Sequence, residues 1–435
     1  MRRAMLSRAD KIFIALIGAG LLSIYIGAVS MYLWLGLMLV RLFFLNRVEL
    51  GLFSLMFGSS LFGRLFASDQ LVVVLTTGFL ILGYILLRKE ILQTIVHNRV
   101  SWIVFAALLF YFVVMYLLGP MNSYATGKIS RLVVRGITWL LMFQIYVQSR
   151  DVNNNHFAIL FGLLSIFYLS QAYVVYGVRP HSLLDVSFFR DIAAEVGRDD
   201  SNTMVVNSHT LGYLATGTLL FFISHDKYNV KSLWSWTIIS ISLLIVIISG
   251  ARHTMVIFAS LLSFRFILNN GMAVKNITIA CACLFLLGFI IFNSGVSSIE
   301  KSKAGTSIGE TFNRDFETPF YVMQIDPVFG VGFGGYQEYG NKKYPHNILF
   351  EIFSEFGAVG SAIILTFIVI SVLISNIYIR YYTGSGVYFI LFLTMYLLCA
   401  LVSGDLSSNI RGFAVLLSFV KTPQQKMILK KDAIG

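Results

Sequence analysis

Long apolar runs, interrupted by short polar stretches, set the limits on what this chain can fold into. They fall at about 11–27, 29–45, 50–67, 71–88, 101–119, 131–148 and 156–177 in the first half. In the second half they fall at about 206–224, 234–250, 253–269, 276–293, 358–379, 386–402 and 410–420. All but the last, which is short and weak, are long enough, or nearly so, to cross roughly 30 Å of hydrocarbon. Inside hydrocarbon every backbone N–H and C=O must be bonded within the protein, so only helices or closed barrels span it. Barrel strands would be short and alternating, whereas these runs are continuously apolar. The expected fold is therefore all-α: a polytopic membrane helical bundle of about fourteen transmembrane helices, with twelve as the alternative count. Composition agrees, because 57% of the chain is hydrophobic and only 12% charged, against about a quarter charged in soluble domains. The first run has no small-residue cleavage site and leads straight into another, so it reads as a first span rather than a signal peptide. Residues 1–435 are expected to form a single integral membrane domain.

Orientation follows from where lysine and arginine accumulate. With the N-terminus inside and the runs alternating, the inside segments hold 19 of the 33 basic residues against 6 acidic ones. The remainder of the chain holds 14 basic and 15 acidic residues. One assumption sorts the whole +12 excess to one side, predicting both termini inside. The basic balance is thus a topology signal that favours anionic lipid on the inner surface. No nucleic acid is needed to explain it. The chain has no phosphate-binding glycine loop ending in Lys-Ser/Thr, no dinucleotide fingerprint and no paired-cysteine zinc spacing. Cys281, Cys283 and Cys399 all lie within apolar runs and read as small core residues.

Two long connections fall on the outer side, 178–205 and 294–346. Neither has the Gly/Ser or Pro repetition of a linker, and connections this long usually carry function. The second ends in a dense cluster: Asp326-Pro327, glycines at 330, 332, 334 and 335, then Tyr344-Pro345-His346-Asn347. Asn347 is placed to cap the apolar helix that follows. His346 alone would read as an interfacial histidine. In this company it becomes a candidate general base, with an intrinsic pKa suited to the task. Glu351 and Glu355, four apart on the first turns of that helix, are expected to support it, and Gly357 and Gly360 to allow close helix packing.

Arg252, in the turn ISGARH, sits on the outer side, where the charge bias does not account for it. No carboxylate adjoins it in sequence, which points to an anionic ligand such as a phosphate. Arg190 and Arg198 share the earlier loop with several acidic residues, a pattern that usually marks a solvated face. Arg131 and Arg135, four apart, share one face near the outer end of a span and either widen a basic path or anchor the helix.

His346-Asn347, nine residues, then Gly357-x-x-Gly360 resembles the HN-x9-GxxG signature of the O-antigen ligase/polymerase superfamily of bacterial envelope glycosyltransferases. The run IDPVFGVGFGGY at 325–336 is similar to the stretch that precedes the histidine there, SGAR at 249–252 to its SGSR turn, and 198–212 more loosely to its entry into a span. The motif resemblance covers about the C-terminal half; the earlier half matches in hydropathy alone.

The resemblance implies a GT-C-like bundle in the bacterial inner membrane with two long periplasmic loops and a periplasmic active site. It implies His346 as the key catalytic residue, with Arg252 and Arg198 gripping the diphosphate of an undecaprenyl-linked sugar donor. Arg190 competes with Arg198 for that role, because the family's glycine is replaced after Arg198 by an acidic and polar run. Tyr344, Asn347, Arg135 and Glu351 complete the expected substrate-binding set. The implied reaction is an inverting glycosyl transfer with no cofactor, and arginines that neutralise the diphosphate would make a metal unnecessary. The span count favours a polymerase, which extends a lipid-linked glycan and has a chain-length regulator as a possible partner. A ligase, which attaches the glycan to lipid A-core, is the alternative within the superfamily. A lipid-linked oligosaccharide flippase is the alternative of another class; it would carry charges nearer mid-membrane.

Overall fold

A computed structural model describes residues 48, 52, 69–148, 161–162, 165, 208–224, 233–248, 252–270, 274–275, 277–278, 281–282, 308–340, 344–345, 347–379, 385–401 and 405–418. Among these residues the regular structure is helical, with no strand. The helices are α1 (Asp69–Leu86), α2 (Arg88–His97), α3 (Arg99–Leu118), α4 (Ser123–Gln148), α5 (Ser208–Ser224) and α6 (Leu233–Ile248). They continue with α7 (Arg252–Asn270), α8 (Ile308–Ile325), α9 (Tyr336–Tyr339), α10 (Ile348–Ile379), α11 (Ser385–Ala400) and α12 (Leu406–Ser418).

Nine of these helices coincide with apolar runs: α1, α3 to α7 and α10 to α12. The runs at 11–27 and 29–45 lie outside the described residues, and so does most of those at 50–67, 156–177 and 276–293. Two helical stretches, Arg99–Leu118 and Ile348–Leu373, are long and apolar enough to cross a membrane. Three shorter apolar stretches, Leu211–Leu220, Thr254–Ile267 and Leu391–Ala400, accompany them. Cys399 is buried as expected of a core residue, but Cys281 is exposed.

The chain divides into two compact units: residues 1–88, 153–223 and 227–255 in one, and 89–152, 224–226 and 256–435 in the other. In the first, α5 packs on residues 161–162. The Phe161 ring lies so close over Gly217 that a Cβ there would meet it at 3.2 Å.

The second unit is built around α10. α12 packs most extensively on α4 and also against α10 and α11; α3 lies on α4 and α10, and α8 lies along α10. Trp102 on α3 donates from Nε1 to Gln144 on α4 at 2.9 Å, and Phe105 packs where Gly136 leaves room for it.

α10 is not continuous. At Gly357 the backbone has φ 59° and ψ −165°, and the helix breaks there. In an unbroken helix the carbonyls of Ser354 and Glu355 would accept from Ala358 and Val359. Here they accept from Val331 and Gly332 of the glycine-rich segment, at 2.9 and 3.0 Å. The N–H groups of Ala358 and Val359 donate instead to the carbonyls of Pro327 and Val328, at 2.9 and 3.1 Å. Four hydrogen bonds between segments replace those the break gives up, so none of these four groups of α10 is stranded.

The sequence requirement is strict at the crossing. A Cβ on Gly330 would fall 2.5 Å from the backbone of Phe356 and Gly357, and one on Gly357 would fall 2.4 Å from the Val328 carbonyl oxygen. Both glycines also have φ in the left-handed region, where a side chain costs roughly 1–2 kcal/mol. Close packing accounts for Gly360, where a Cβ would meet the Tyr111 hydroxyl at 2.4 Å. At Gly357 the demand is a backbone turn, not helix packing.

Candidate active site

The glycine-rich segment is held down by aromatic packing beneath it and by polar ties to α4. Phe333 is fully buried among Phe112, Tyr116 and Phe356, with ring centroids 6.0 to 6.4 Å apart. Asn122 accepts from the Ala125 N–H at 2.7 Å, capping α4, and its amide nitrogen donates to the Gly334 carbonyl and the Glu338 carboxylate. One side chain thus starts α4 and fixes the segment to it. On the other side, Asn347 accepts from Leu349 N–H at 2.9 Å and caps α10.

Below this segment lies a fully buried ion triad. The Lys128 ammonium contacts Glu351 and Glu355 at 2.5 Å each, and all three side chains are 0% exposed. The same ammonium stands 4.8 Å from the centroid of the Phe333 ring. Glu351 also accepts from the Leu406 N–H at 2.9 Å, which joins the first turn of α10 to that of α12. Two carboxylates with no cation between them would not share so dry a site, so Lys128 is what allows the two glutamates to be buried there.

Beside the triad, Asp405 begins α12. Its oxygens accept from Ser407 Oγ at 2.9 and 3.0 Å, from Ser408 Oγ at 2.6 Å, from Ser408 N–H at 2.8 Å and from the Tyr124 hydroxyl at 3.1 Å. Arg131 completes the shell, with Nη2 at 3.5 Å and its side chain 41% exposed. Burial by itself would push the Asp405 carboxyl up. The Ser408 hydrogen bonds, the Lys128 charge and the Ser407 hydroxyl outweigh it and hold the group below the ordinary aspartate range.

Asp405 is therefore fully engaged, and two further guanidiniums crowd the same place. Arg135 on α4 feels the charges of Arg411, Arg131 and Asp405. Arg411 on α12 lies over the Tyr396 ring at 4.7 Å, and its Nε is buried with no hydrogen-bond partner. Among the described residues neither Arg135 nor Arg411 has a carboxylate at ion-pair distance. Tyr344 is half-buried at the rim. Burial first, then the Asp405 and Glu351 charges, raise its pKa against the pull of Arg131, so its hydroxyl stays a donor at neutral pH. Three guanidiniums with one saturated carboxylate make an anion-binding arrangement, of the kind that grips phosphate.

Of the residues expected from sequence, Arg135, Tyr344 and Glu351 come together here, with Asn347 one turn before Glu351. Glu351 is closed off by Lys128 and the Leu406 N–H, so in this arrangement it ties helices rather than facing a ligand. His346, Arg190 and Arg198 lie outside the described residues. Arg252 opens α7, but its side chain lies outside the description, and it belongs to the other compact unit. Lys128, Asp405 and Arg411 are additions that the motifs did not point to. Lys128 stands on one stripe with Arg131 and Arg135, at i, i+3 and i+7. Asp405, followed by two serines at the start of a weakly apolar run, is a helix-capping pattern.

The sequence matches no known family model, and no curated protein matches it as a relative.

Proposed function

We propose that this protein is a membrane glycosyltransferase acting on a polyprenyl-diphosphate-linked glycan, in the manner of an O-antigen polymerase. The carrying observation is that Arg131 meets an Asp405 already saturated by its own helix and by Tyr124, while Arg135 stands within electrostatic reach of Arg131, Arg411 and Asp405. Two of the three cations have no carboxylate at ion-pair distance among the described residues, which suits a ligand carrying more than one negative charge. The cluster adjoins the glycine-rich segment and the start of α10, where the histidine motif lies in sequence. The connections that build it, before α4, between α8 and α10, and before α12, are all ones that the charge bias assigns to the outer side.

In the proposed reaction an acceptor sugar hydroxyl attacks the anomeric carbon of the donor. The new O–C1 bond forms as the bond from C1 to the diphosphate oxygen breaks, with inversion at C1. The hydroxyl proton passes to His346, and the departing diphosphate is stabilised by the guanidiniums. The proposed setting is the bacterial inner membrane with the site facing the periplasm. An undecaprenyl-diphosphate glycan is the substrate, and a chain-length regulator is a possible partner.

The test is a silver-stained gel of lipopolysaccharide from a strain lacking the protein. Core carrying a single repeat unit, with the ladder gone, supports polymerisation. Bare core with polymer left on its lipid carrier would replace polymerase by ligase, and an unchanged ladder would overturn both. Complementation with H346A or R252A is expected to restore membrane-inserted protein but not the ladder. If the purified protein moved lipid-linked sugar across a vesicle without forming glycosidic bonds, transport would take the place of transfer.

A further inference from the structure

The end of α8 and the turn after it expose a contiguous set of large apolar side chains. Phe320 is 52% exposed, Tyr321 60%, Ile325 41%, Val328 47% and Phe329 64%. On the helix, 320, 321 and 325 share one face, while Pro319 and Val322 are buried on the opposite one. Asp326 fixes the turn that presents the last two: its carboxylate accepts from the Val328 and Phe329 N–H groups at 3.2 and 2.9 Å. So large an apolar surface in a connection outside the bundle needs an occupant.

The surface does not stand alone. Phe320 packs edge-to-face on Phe350 at 5.5 Å, and next to it α10 exposes Leu349 and Phe353. Farther along the same helix Val359, Ile363, Val369, Ile370 and Leu373 are exposed in turn. That stretch of α10 is long and apolar enough to cross a membrane. The exposed face of α8 therefore continues, through Phe353, into the outward face of a membrane-crossing helix. Polarity is graded along α8 as well. Its first half reads GETFNRDFET, and Glu317, on the same face as Tyr321, is exposed.

We propose that α8 rests at the lipid interface of the outer leaflet. Its second half and the 326–329 turn are seated among the headgroups and upper acyl chains, and its first half is in water. Aromatic residues with one polar tip favour that depth, and a helix with one apolar face lies in the interface rather than across it. The inserted face anchors the glycine-rich segment at a fixed height on the bilayer, because the two are joined through residues 326–330. The proposal needs α10 to span the membrane but not the glycosyltransferase activity.

The test uses the full chain with its three cysteines replaced by serine, reconstituted in lipid vesicles. It carries single nitroxide labels at Glu317, Tyr321, Phe329 and, as reference, Val369. Collision with oxygen, which concentrates in lipid, is compared with collision with a water-soluble nickel chelate. The expected result is nickel-dominated contact at Glu317, a shift towards oxygen at Tyr321, and oxygen-dominated contact at Phe329 approaching that at Val369. Nickel-dominated contact at Phe329 with oxygen-dominated contact at Val369 would overturn the proposal while leaving α10 in the membrane. Nickel at both positions would remove the spanning helix and the proposal together. Low contact with both agents at Tyr321 and Phe329 would mean that protein covers the face, and would also overturn it.

Discussion

Arg135 and Arg411 are the side chains whose surroundings make least sense without a ligand. Each lies near another guanidinium, and neither has a carboxylate at ion-pair distance among the described residues. A guanidinium kept for stability would be expected to meet a carboxylate; one kept for an anionic ligand would not. Substituting either by alanine removes a charge-assisted contact worth roughly 1.5–3 kcal/mol, about a 10- to 100-fold loss in glycan transfer by the purified protein. Thermal stability of R135A or R411A is expected to hold or rise, since like-charge repulsion is relieved; a clear fall would make the arginines structural. Lys128 behaves in the opposite way. K128M leaves two buried carboxylates uncompensated and is expected to destabilise by about 3–5 kcal/mol, read by unfolding in detergent. Adding E351Q and E355Q to K128M removes the charges and should recover much of that loss.

At the scale of the element, α10 is a helix long and apolar enough to cross a membrane, interrupted at Gly357. The break at Gly357 places four backbone groups at the service of residues 327–332, and the Gly330–Gly357 crossing is backbone against backbone. Neither side can yield by turning a side chain. G357A is expected to cost at least about 1–2 kcal/mol from its backbone angle alone, with the clash in addition. Because the crossing positions the segment above Lys128 and Asp405, transfer should be lost even where helix content measured by circular dichroism is retained. G360A, whose nearest neighbours are side-chain atoms of Tyr111 and Phe356 rather than backbone and whose φ is not left-handed, should be milder. Equal effects from the two substitutions would remove the special role of the break.

For the whole molecule, the charge distribution and the gathered site lead to the same sidedness. Taken together, the connections that contribute to the arginine cluster hold more acidic than basic residues, so no basic excess holds them inside. A phosphatase reporter, active only outside the cytoplasm, is expected to be silent when fused after Gly435 and active when inserted at 341–343. The reverse pattern would invert the molecule, and with it the side on which any lipid-linked donor must present its glycan.

Helical class, the positions of the long apolar helices, and the cap and glycine turns of the 326–360 stretch were legible in the sequence. Each depends on a local or one-dimensional property: hydrophobic run length, capping residues, glycines where the chain must turn. Asn347 illustrates this, since an N-cap is decided by residues two and three positions away. The site was only half legible. Its glycines and Asn347 lie in one contiguous stretch, but Lys128 finds Glu351 and Glu355 across more than two hundred residues, and Arg131 finds Asp405 across a similar distance. The reading of Gly357 as a packing residue missed the break, because the hydrogen bonds that make it tolerable come from another segment. The side of a membrane that each connection is expected to prefer rests on charge alone. Which cations keep a protein partner, and which are left for an anion, only the packing of α4, α10 and α12 decided, because that depends on distances sequence separation does not set.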